Sequence, residues 1–355
     1  MNLETWKIIP DGLSGIHLGK QGMAQERSSI IFHSDSLFSA LVLTMATITD
    51  DANVDEMLEE FRLDEPPFLI TSAFPYAGNV RFFPLPLNVA IDDFHSKGEK
   101  IPDTKAIKRI SFVSEEIFRK ILADKTLLIE FLTEKNILKG GLLVSGDEKQ
   151  HLPTNIQNGT MRIFDDHEKR PRVTIGREDN TSNLFFTGAV QYAPGCGMWF
   201  GIRWQKDKTS WKDNLPTLFS VLEDEGIGGE RSSGFGQVKI KPWQNILLPD
   251  AAGRHWMTLS RYLPKFEEVS ALYDKNASYS VDNVGGWLQS PGLSSRRRKS
   301  INMLREGSVF GPLDEQPVGK MVEIQPEYKT VSFNAHPVYR SGLTIGVGFL
   351  KENSK

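Results

Sequence analysis

The amino-acid sequence predicts an α+β protein built from two layered units, each a sheet with helices packed on one side. Three observations support this fold class. An amphipathic helix follows a first strand, a second helix runs through a glycine-rich loop into a strand, and strands outnumber helices after residue 253. A linker is expected near Leu248–Gly253, which divides the chain into residues 1–250 and 251–355.

The N-terminal unit is expected to begin with a strand at Trp6–Ile9 and to continue with the clearest helix of the chain, at His33–Met45. Ser34 and Asp35 are residue types that cap helix N-termini, so they are expected just before the first turn. Apolar residues at helical spacing predict one face that packs on a sheet. They are Leu37, Phe38, Leu41, Val42 and Met45.

The middle of the chain mixes strands with a helical zone. Phe74–Leu87 contains three prolines among aromatic residues, and proline cannot donate to a ladder, so a loop or an edge strand is expected. A charged helical zone follows at 114–132. Arg172–Phe186 predicts two strands joined by a polar turn, with arginines at the base of the hairpin, and Met198–Trp204 predicts a further strand.

A short helix with Asn214 at its N-cap and Pro216 at its second position is expected to lead into a glycine-rich loop at Gly228–Gly236. The loop then runs into a strand at Gln237–Ile240. Glycines that hold phosphate in Walker and Rossmann sites follow a strand and precede a helix. Because the order is reversed here and the lysine-serine/threonine pair of a P-loop is absent, a nucleoside triphosphate site is disfavoured.

The composition limits the partners. The 355 residues are 39% hydrophobic and 25% charged, with a net charge of -3, as in an ordinary globular protein. No apolar run approaches the ~18 residues of a membrane span and the first residues carry no export pattern, so a cytoplasmic location is expected. The single Cys196 excludes an intramolecular disulfide and a thiolate-rich metal site. A nucleic-acid partner would meet local positive charge, at Lys169–Arg172 or Arg296–Lys299.

Five segments together resemble the repeat-associated (RAMP) superfamily of CRISPR proteins, and most closely the type III-A effector subunit that caps the complex at the 5′ end of the guide RNA. They are "HSDSLFSAL" at His33–Leu41, "RVTIGREDNTSNLFF" at Arg172–Phe186, "GIGGERSSGFGQV" at Gly226–Val238, "LREGSVF" at Leu304–Phe310 and "HPVYRSGL" at His336–Leu343. The sequence departs from the family pattern at Gly176, where aspartate is usual, and at Leu85, where lysine is expected.

The resemblance implies two ferredoxin-like (RRM-like, βαββαβ) domains in tandem, with an inserted hairpin and loops. It also implies a non-catalytic subunit that binds the 5′ handle of the crRNA. Such a subunit bridges the large polymerase/cyclase-like subunit and the backbone RAMP subunits in antiviral defence. No cofactor, metal ion or membrane is expected to take part.

The glycine-rich loop is the first expected RNA contact. Glycine lets a phosphate backbone approach the main chain, whose amides donate hydrogen bonds. The alternative is a tight turn that only joins a helix to a strand. The expected contacts in the loop are Gly228, Gly229, Arg231, Ser232, Ser233, Gly234 and Gly236.

Other expected contacts each have a structural alternative. His33 and Ser34 lie near the positive end of a helix, although a helix N-terminus explains Ser34 and Asp35 without chemistry. Arg172 and Arg177 either contact RNA or form a charged surface. A polybasic loop is expected to bind nucleic acid or another subunit, and the alternative is a solvated loop. Residues before the last strand are expected to clamp a base, and the alternative is packing in the core. These C-terminal candidates are Arg296, Arg297 and Arg298, and Tyr339 and Arg340 together with His336.

Three further functions compete with guide-RNA binding. A metal-independent endoribonuclease that processes CRISPR repeat RNA would need a general base and a charge stabiliser that converge on a 2′-hydroxyl. The seven histidines are scattered, and no such set is evident by spacing. A subunit that meets only proteins is a second alternative. An enzyme for small phosphate compounds is disfavoured by the order of loop and helix.

Overall fold

The computed structural model describes residues 1–12, 15–19, 28–49, 51–63, 65–89, 104–175, 182–288, 296–325 and 336–351. Its helices are α1 Ser34–Ile48, α2 Asp51–Arg62, α3 Thr104–Ile107, α4 Glu115–Ala123, α5 Gly146–Lys149, α6 Thr154–Gln157 and α7 Ser210–Glu225. Short 3₁₀ segments lie at Lys125–Phe131, Arg231–Ser233 and Glu267–Tyr273. Within these ranges, no helix is long and apolar enough to cross a membrane.

The strands confirm the α+β class. In the first part of the chain they are β1 Asn2–Pro10, β2 Phe68–Ile70, β3 Phe74–Ala77, β4 Val80–Pro84, β5 Phe112–Ser114, β6 Ile137–Leu138, β7 Leu142–Leu143, β8 Phe164–Ile175, β9 Ser182–Tyr192, β10 Cys196–Trp204 and β11 Val238–Leu247. In the second part they are β12 Trp256–Thr258, β13 Val281–Val284, β14 Trp287–Leu288, β15 Arg296–Arg297, β16 Ile301–Leu304, β17 Val309–Phe310, β18 Gly319–Glu323, β19 Tyr339–Leu343 and β20 Gly346–Gly348.

The main sheet runs in the order β11-β1-β10-β3-β4-β5-β7-β6, and β2 also pairs with β10. Aromatic side chains join this sheet to its helices. The rings of Trp6 on β1 and Phe219 on α7 lie 4.7 Å apart, and Phe38 on α1 lies 6.4 Å from Trp211 on α7. The sheet with α1 and α7 on one face is therefore the layered unit expected for the N-terminal part.

The proline-containing segment is not a loop or an edge strand, so that prediction is wrong. β3 lies between β10 and β4, and β4 lies between β3 and β5. Proline is tolerated there because β3 pairs with β4 only at Tyr76 and Ala77, which leaves Pro75 outside that ladder. Pro84 is the last residue of β4.

Both helices near the predicted sites begin at other residues than expected. α1 begins at Ser34 with His33 as its N-cap, and Asp35 is buried inside the first turn rather than capping it. α7 begins at Ser210, where the side chain of Thr209 accepts a hydrogen bond from the amide of Trp211. Asn214 and Pro216 therefore lie within α7. The start of α7 moves upstream because Trp211 extends its buried face.

The predicted hairpin is present and longer than expected. β8 and β9 pair antiparallel from Phe164 opposite Tyr192 to Ile175 opposite Ser182, with an irregularity between Asp165 and Glu168. The turn between the two strands, which includes Gly176 and Arg177, lies outside the described residues.

The C-terminal part holds a three-stranded sheet, β17-β12-β20, and three two-stranded pairs, β13–β16, β14–β15 and β18–β19. It bonds directly to the N-terminal part. The amide of Ser72 donates to the carbonyl of Leu259 at 2.9 Å, and the hydroxyl of Ser260 donates to the carbonyl of Ile70 at 2.7 Å. The two parts therefore share hydrogen bonds as well as apolar contacts.

Candidate nucleic-acid interface

The glycine-rich loop begins where α7 ends and folds back on itself. Gly228 has φ +81° and Gly236 has φ +79°, a backbone region that disfavours any side chain. A Cβ at Gly236 would collide with the carbonyl of Ile227, and one at Gly228 would collide with the carbonyl of His17. These two glycines let the loop approach the protein's own backbone.

Several amides of the loop are used inside the protein. The amide of Gly229 donates to the carbonyl of His17 at 2.8 Å, and that of Gly236 donates to the carbonyl of Gly15 at 3.0 Å. The amide of Gly234 donates to the carbonyl of Arg231 at 3.0 Å. The prediction that these three amides offer free donors to a phosphate backbone is therefore wrong.

The tip of the loop faces solvent. Ser232, Ser233 and Gly234 are exposed, and the space where a Cβ of Gly234 would lie is open. Arg231 is half-buried, and its guanidinium pairs with the carboxylate of Glu225 at 3.1 Å. The tip therefore presents hydroxyl groups and one neutralised guanidinium.

The base of the β8–β9 hairpin lies against the loop. The guanidinium groups of Arg170 and Arg172 lie 4.9 Å and 5.3 Å from the ring centroid of Phe235. An Nη atom of Arg172 also lies 3.5 Å from the carbonyl oxygen of Ser233. Phe235 is buried, so its ring positions both cations by cation–π contact. Two motifs that are distant in sequence thus form one surface.

His17 joins the same surface from a third segment. Its Nδ1 donates to the carbonyl oxygen of Gly188 on β9 at 2.7 Å, and its backbone pairs with Gly229. His17 is buried and was not among the expected site residues, nor was Phe235. A lone aromatic residue inside a glycine-rich loop was the only signal in the sequence for Phe235.

A second group of expected residues forms a buried charge cluster between α1 and the C-terminal part. We define the ion cluster as His33, Asp35, Arg261, Glu306 and Arg340. The Nδ1 atom of His33 lies 2.8 Å from a carboxylate oxygen of Glu306, and the carboxylate of Asp35 pairs with the guanidinium of Arg340. Arg261 lies 3.9 Å from the other oxygen of Asp35.

The cluster shifts the pKa values of its acids. Burial alone would raise the pKa of Asp35, but the charges of Arg340 and Arg261 outweigh it and lower that pKa. Burial would likewise raise the pKa of Glu306, but the His33 ring, Arg261 and a serine hydroxyl lower it to about 2. Both carboxylates are therefore ionised and compensated within the protein.

The geometry does not support RNA contacts by Ser34 or Arg340. Arg340 is 2% exposed, and it donates to the carbonyl of Gly285 at 2.8 Å besides pairing with Asp35. Ser34 is buried, and its hydroxyl accepts a hydrogen bond from the amide of Arg261 at 2.9 Å. Both residues hold α1 against the C-terminal part. The ring of His33 is partly exposed, so its RNA contact stays a prediction.

The other C-terminal candidates differ in exposure. Arg297 is exposed, with its guanidinium 5.2 Å from the ring centroid of Trp287. Burial, together with the nearby charge of Arg340, lowers the pKa of Arg298 to about 10. Tyr339 is half-buried beneath the guanidinium of Arg62. The side chain of Arg296 lies outside the described residues, as does Arg177.

One set of side chains in the described ranges has the spacing of metal ligands. Asp165, Asp166 and His167 bring their ligand atoms within 4.8 Å of one another. All three are exposed, and the imidazole of His167 bonds to Asp166 at 2.8 Å. Exposed acidic groups of this kind are common without an ion, so the set carries no assignment.

Comparison with known proteins identifies the relatives of this chain. Residues 251–349 match the family model described as the CRISPR Csm4 C-terminal domain. A "CRISPR system Cms protein Csm4" from Methanocaldococcus jannaschii is 22% identical over 88% of this chain and 86% of its own length. The protein of the same description from Streptococcus thermophilus is 23% identical over 91% of this chain and 93% of its own length.

Solved structures share the fold. A chain of the Csm3-Csm4 subcomplex from the type III-A CRISPR-Cas interference complex aligns with a TM-score of 0.64 and 16% identity, over 98% of this chain and all of that one. A chain of the Csm1-Csm4 cassette in complex with cA4 aligns with a TM-score of 0.58 and 17% identity, over the full length of both. The chain thus shares the fold of chains from these complexes. Its sequence is similar to Csm4 proteins over most of the chain, and residues 251–349 match the C-terminal domain of that family.

Proposed function

We propose that this chain is a non-catalytic subunit of a cytoplasmic type III-A CRISPR effector complex, and that it binds the 5′ handle of the crRNA. In this proposal it bridges the large polymerase/cyclase-like subunit and the backbone RAMP subunits. Similar structures support these partners, because they include a Csm3-Csm4 subcomplex and Csm1-Csm4 cassettes.

One observation carries the RNA part of the proposal. The hairpin base and the glycine-rich loop, which the sequence analysis singled out separately, meet at the ring of Phe235. Arg170, Arg172 and Arg231 therefore lie on one surface beside the exposed hydroxyl groups of Ser232 and Ser233. Guanidinium and hydroxyl donors grouped in this way are typical of contacts to a nucleic-acid backbone.

The proposed contact differs from the one expected from sequence. Because the amides of Gly229, Gly234 and Gly236 are used internally, the donors to phosphate are side chains rather than main-chain groups. The glycines then have an indirect role, since they hold the tip at Ser232 and Ser233 beside the hairpin arginines. Arg177 and Arg296 remain part of the proposal as expected contacts.

The finer architecture is also a proposal, namely two ferredoxin-like domains divided near residue 250. The first sheet supports one of them. β1 precedes α1, and β2 and β3 follow α1 and α2; β10 lies between β1 and both of these later strands. β10 and β11, which flank α7, are separated by β1. Two interleaved βαβ units of this kind are the ferredoxin-like pattern.

The absence of catalysis is supported by the roles of the candidate acid and base. The His33 ring bonds to Glu306, and Asp35 pairs with Arg340 in a buried cluster that joins two parts of the chain. Among the described residues, both side chains are thus engaged with partners inside the protein. Their positions are explained by packing, and in this proposal the nuclease activity of the complex lies in other subunits.

The RNA contact can be tested by the salt dependence of handle-RNA binding. Arg172→Ala and Arg231→Ala should each weaken binding by about 1.5–3 kcal/mol, the value of a hydrogen bond to a charged group. Arg172→Ala should also lower the slope of log K against log salt by about 0.7 for single-stranded RNA, and Arg231→Ala should lower it by less, because Arg231 is already paired with Glu225. The matched control is Arg119→Ala, which removes an exposed arginine that pairs with Glu115 on α4.

Gly234→Asn tests the tip, because asparagine tolerates the positive φ of this position and would reach into open space. Wild-type affinity and slope in both arginine variants would remove the loop and the hairpin base from the RNA site. Failure of the full chain to associate with Csm1-family and Csm3-family subunits would overturn the bridging role. Thermal melts of every variant separate lost contacts from lost folding.

A further inference from the structure

A second ribbon of strands projects its own set of side chains to solvent. We define the aromatic ribbon as residues 281–288 and 296–304. β13 pairs with β16, and β14 pairs with β15, so the same two stretches of chain run side by side through both pairs. The amide of Arg298 donates to the carbonyl of Gly286 at 2.9 Å and links the two pairs.

The two faces of the ribbon differ in character. Val284 and Leu288 are buried, whereas Asn283 and Trp287 are exposed, as expected for alternation along a strand. Trp287 is 57% exposed, although tryptophan usually buries its large ring. The exposed face also holds a cross-strand amide pair, in which Asn283 donates to Asn302 at 3.0 Å.

The ring of Trp287 is held by a cation. The guanidinium of Arg297, directly opposite on β15, lies 5.2 Å from its centroid. This contact fixes the ring against the ribbon without burying it. The result is an exposed aromatic ring with a guanidinium over one face, so a base would stack on the opposite face.

The sequence of this stretch is strongly biased in charge. Residues 281–305 contain five positive side chains and one carboxylate, in a chain whose net charge is -3. The carboxylate, Asp282, pairs with Arg261 and Arg305 at 3.4 Å. Arg297, directly opposite Trp287, and Lys299, two residues further along the same stretch, are both exposed.

We propose that Trp287 and Arg297 form a stacking site for an unpaired base of single-stranded RNA, with the phosphates of that strand beside Lys299. A base has a flat π-face that matches the ring, and its phosphate complements the positive charge. Duplex RNA does not fit, because its bases are stacked on each other. The inference rests on the proposed function for its ligand class, but it uses a different surface from the glycine-rich loop.

The experiment measures binding of a short fluorescein-labelled single-stranded RNA, and of the same RNA as a duplex, to the full-length chain by anisotropy. Trp287→Ala should weaken single-strand binding between about 5-fold and about 150-fold, the effect of losing one aromatic stacking contact. Trp287→Phe should restore most of it. The salt slope should stay unchanged in Trp287→Ala, because stacking neutralises no phosphate.

Phe266→Ala is the matched control, since Phe266 is 91% exposed in the same part of the chain but outside the ribbon. It should bind RNA as wild type does. Equal loss for duplex and single strand, or no loss in Trp287→Ala, would overturn the stacking site. If Arg172→Ala still weakened binding in that case, the proposed function would survive and only this inference would fail.

A protein partner on the same ring is the competing outcome. If Trp287→Ala bound RNA normally but no longer associated with Csm1-family or Csm3-family subunits in the absence of RNA, Trp287 would be an interface residue and the inference would be wrong. Unchanged melting temperatures are expected in the Trp287 and Phe266 variants, because these two side chains are exposed.

Discussion

Replacing Asp35 with asparagine should destabilise the protein far more than an ordinary polar substitution. Asp35 is fully buried, and its carboxylate pairs with Arg340, which is itself 2% exposed. Asparagine keeps the size of the side chain but removes its charge. The guanidinium of Arg340 would then stay buried without a counter-ion, close to the charge of Arg298.

The magnitude follows from breaking a buried ion pair. Removing one partner of such a pair costs about 3–5 kcal/mol, because the remaining charge is desolvated without compensation. Typical domains have a free energy of unfolding of only about 5–15 kcal/mol. The substitution should therefore remove a large part of the stability of the chain.

Equilibrium unfolding in urea, followed by tryptophan fluorescence, measures this loss for the full-length protein. The control is Glu59→Gln, which breaks the exposed pair between Glu59 and Arg62 on α2 and should cost at most about 1 kcal/mol. A double variant, Asp35→Asn with Arg340→Met, should recover part of the loss because it removes the unpaired charge.

The reasoning would be refuted if Asp35→Asn and Glu59→Gln unfolded at the same urea concentration. It would also be refuted if adding Arg340→Met to Asp35→Asn lowered the free energy of unfolding by as much as Arg340→Met does alone. Either result would mean that the charge of Asp35 does not compensate that of Arg340.

Three further outcomes are expected. Gly236→Ala should destabilise the chain by well over about 1 kcal/mol, because a Cβ there collides with a carbonyl oxygen. Gly234→Ala has open space around its Cβ and should cost only about 1 kcal/mol, from its positive φ. Thermal melts of both variants measure the difference. The folded-state pKa of Glu306 is about 2, below its usual 4.5, so its ionised form stabilises the fold above pH 4.5 and this stabilisation is lost as the pH falls towards 2. In Glu306→Gln, the free energy of unfolding, measured at a series of pH values, should not show this loss. Thr209→Ala should cost about 1 kcal/mol as a lost N-cap, while Asn214→Ala should cost little; the reverse order would contradict the start of α7.

Local sequence patterns were sufficient to predict the elements whose residues are close together in the chain. The apolar spacing of α1, the β8–β9 hairpin and the order of α7, loop and β11 are all confirmed. The prediction for β3 and β4 was wrong because proline was taken as excluded from any inner strand, whereas Pro75 is paired on one side only, with Met198 on β10, and lies outside the β3–β4 ladder. The predicted start of α7 was wrong because its N-cap, Thr209, lies upstream of the more conspicuous Asn-Leu-Pro sequence at Asn214–Pro216.

The candidate site was predictable as a set of motifs but not as a surface. Nothing in sequence spacing indicates that Arg170 and Arg172 lie over Phe235, because that contact joins residues about 65 positions apart. The same limit explains Arg340. A charged residue before a strand resembles a surface contact, and only the tertiary structure reveals that Asp35 lies against it.

The position of β1 has a consequence for how the chain is made. β1 lies between β10 and β11, and the first of these begins about 190 residues after β1 ends. At roughly 5–20 residues per second, the ribosome delivers those partners about 10–40 s later. Until then both edges of β1 lack their partner strands, and an unpaired edge is a template for pairing with another strand. A nascent chain that stalls before Leu247 therefore leaves its first strand without β11, open to pairing with a second copy.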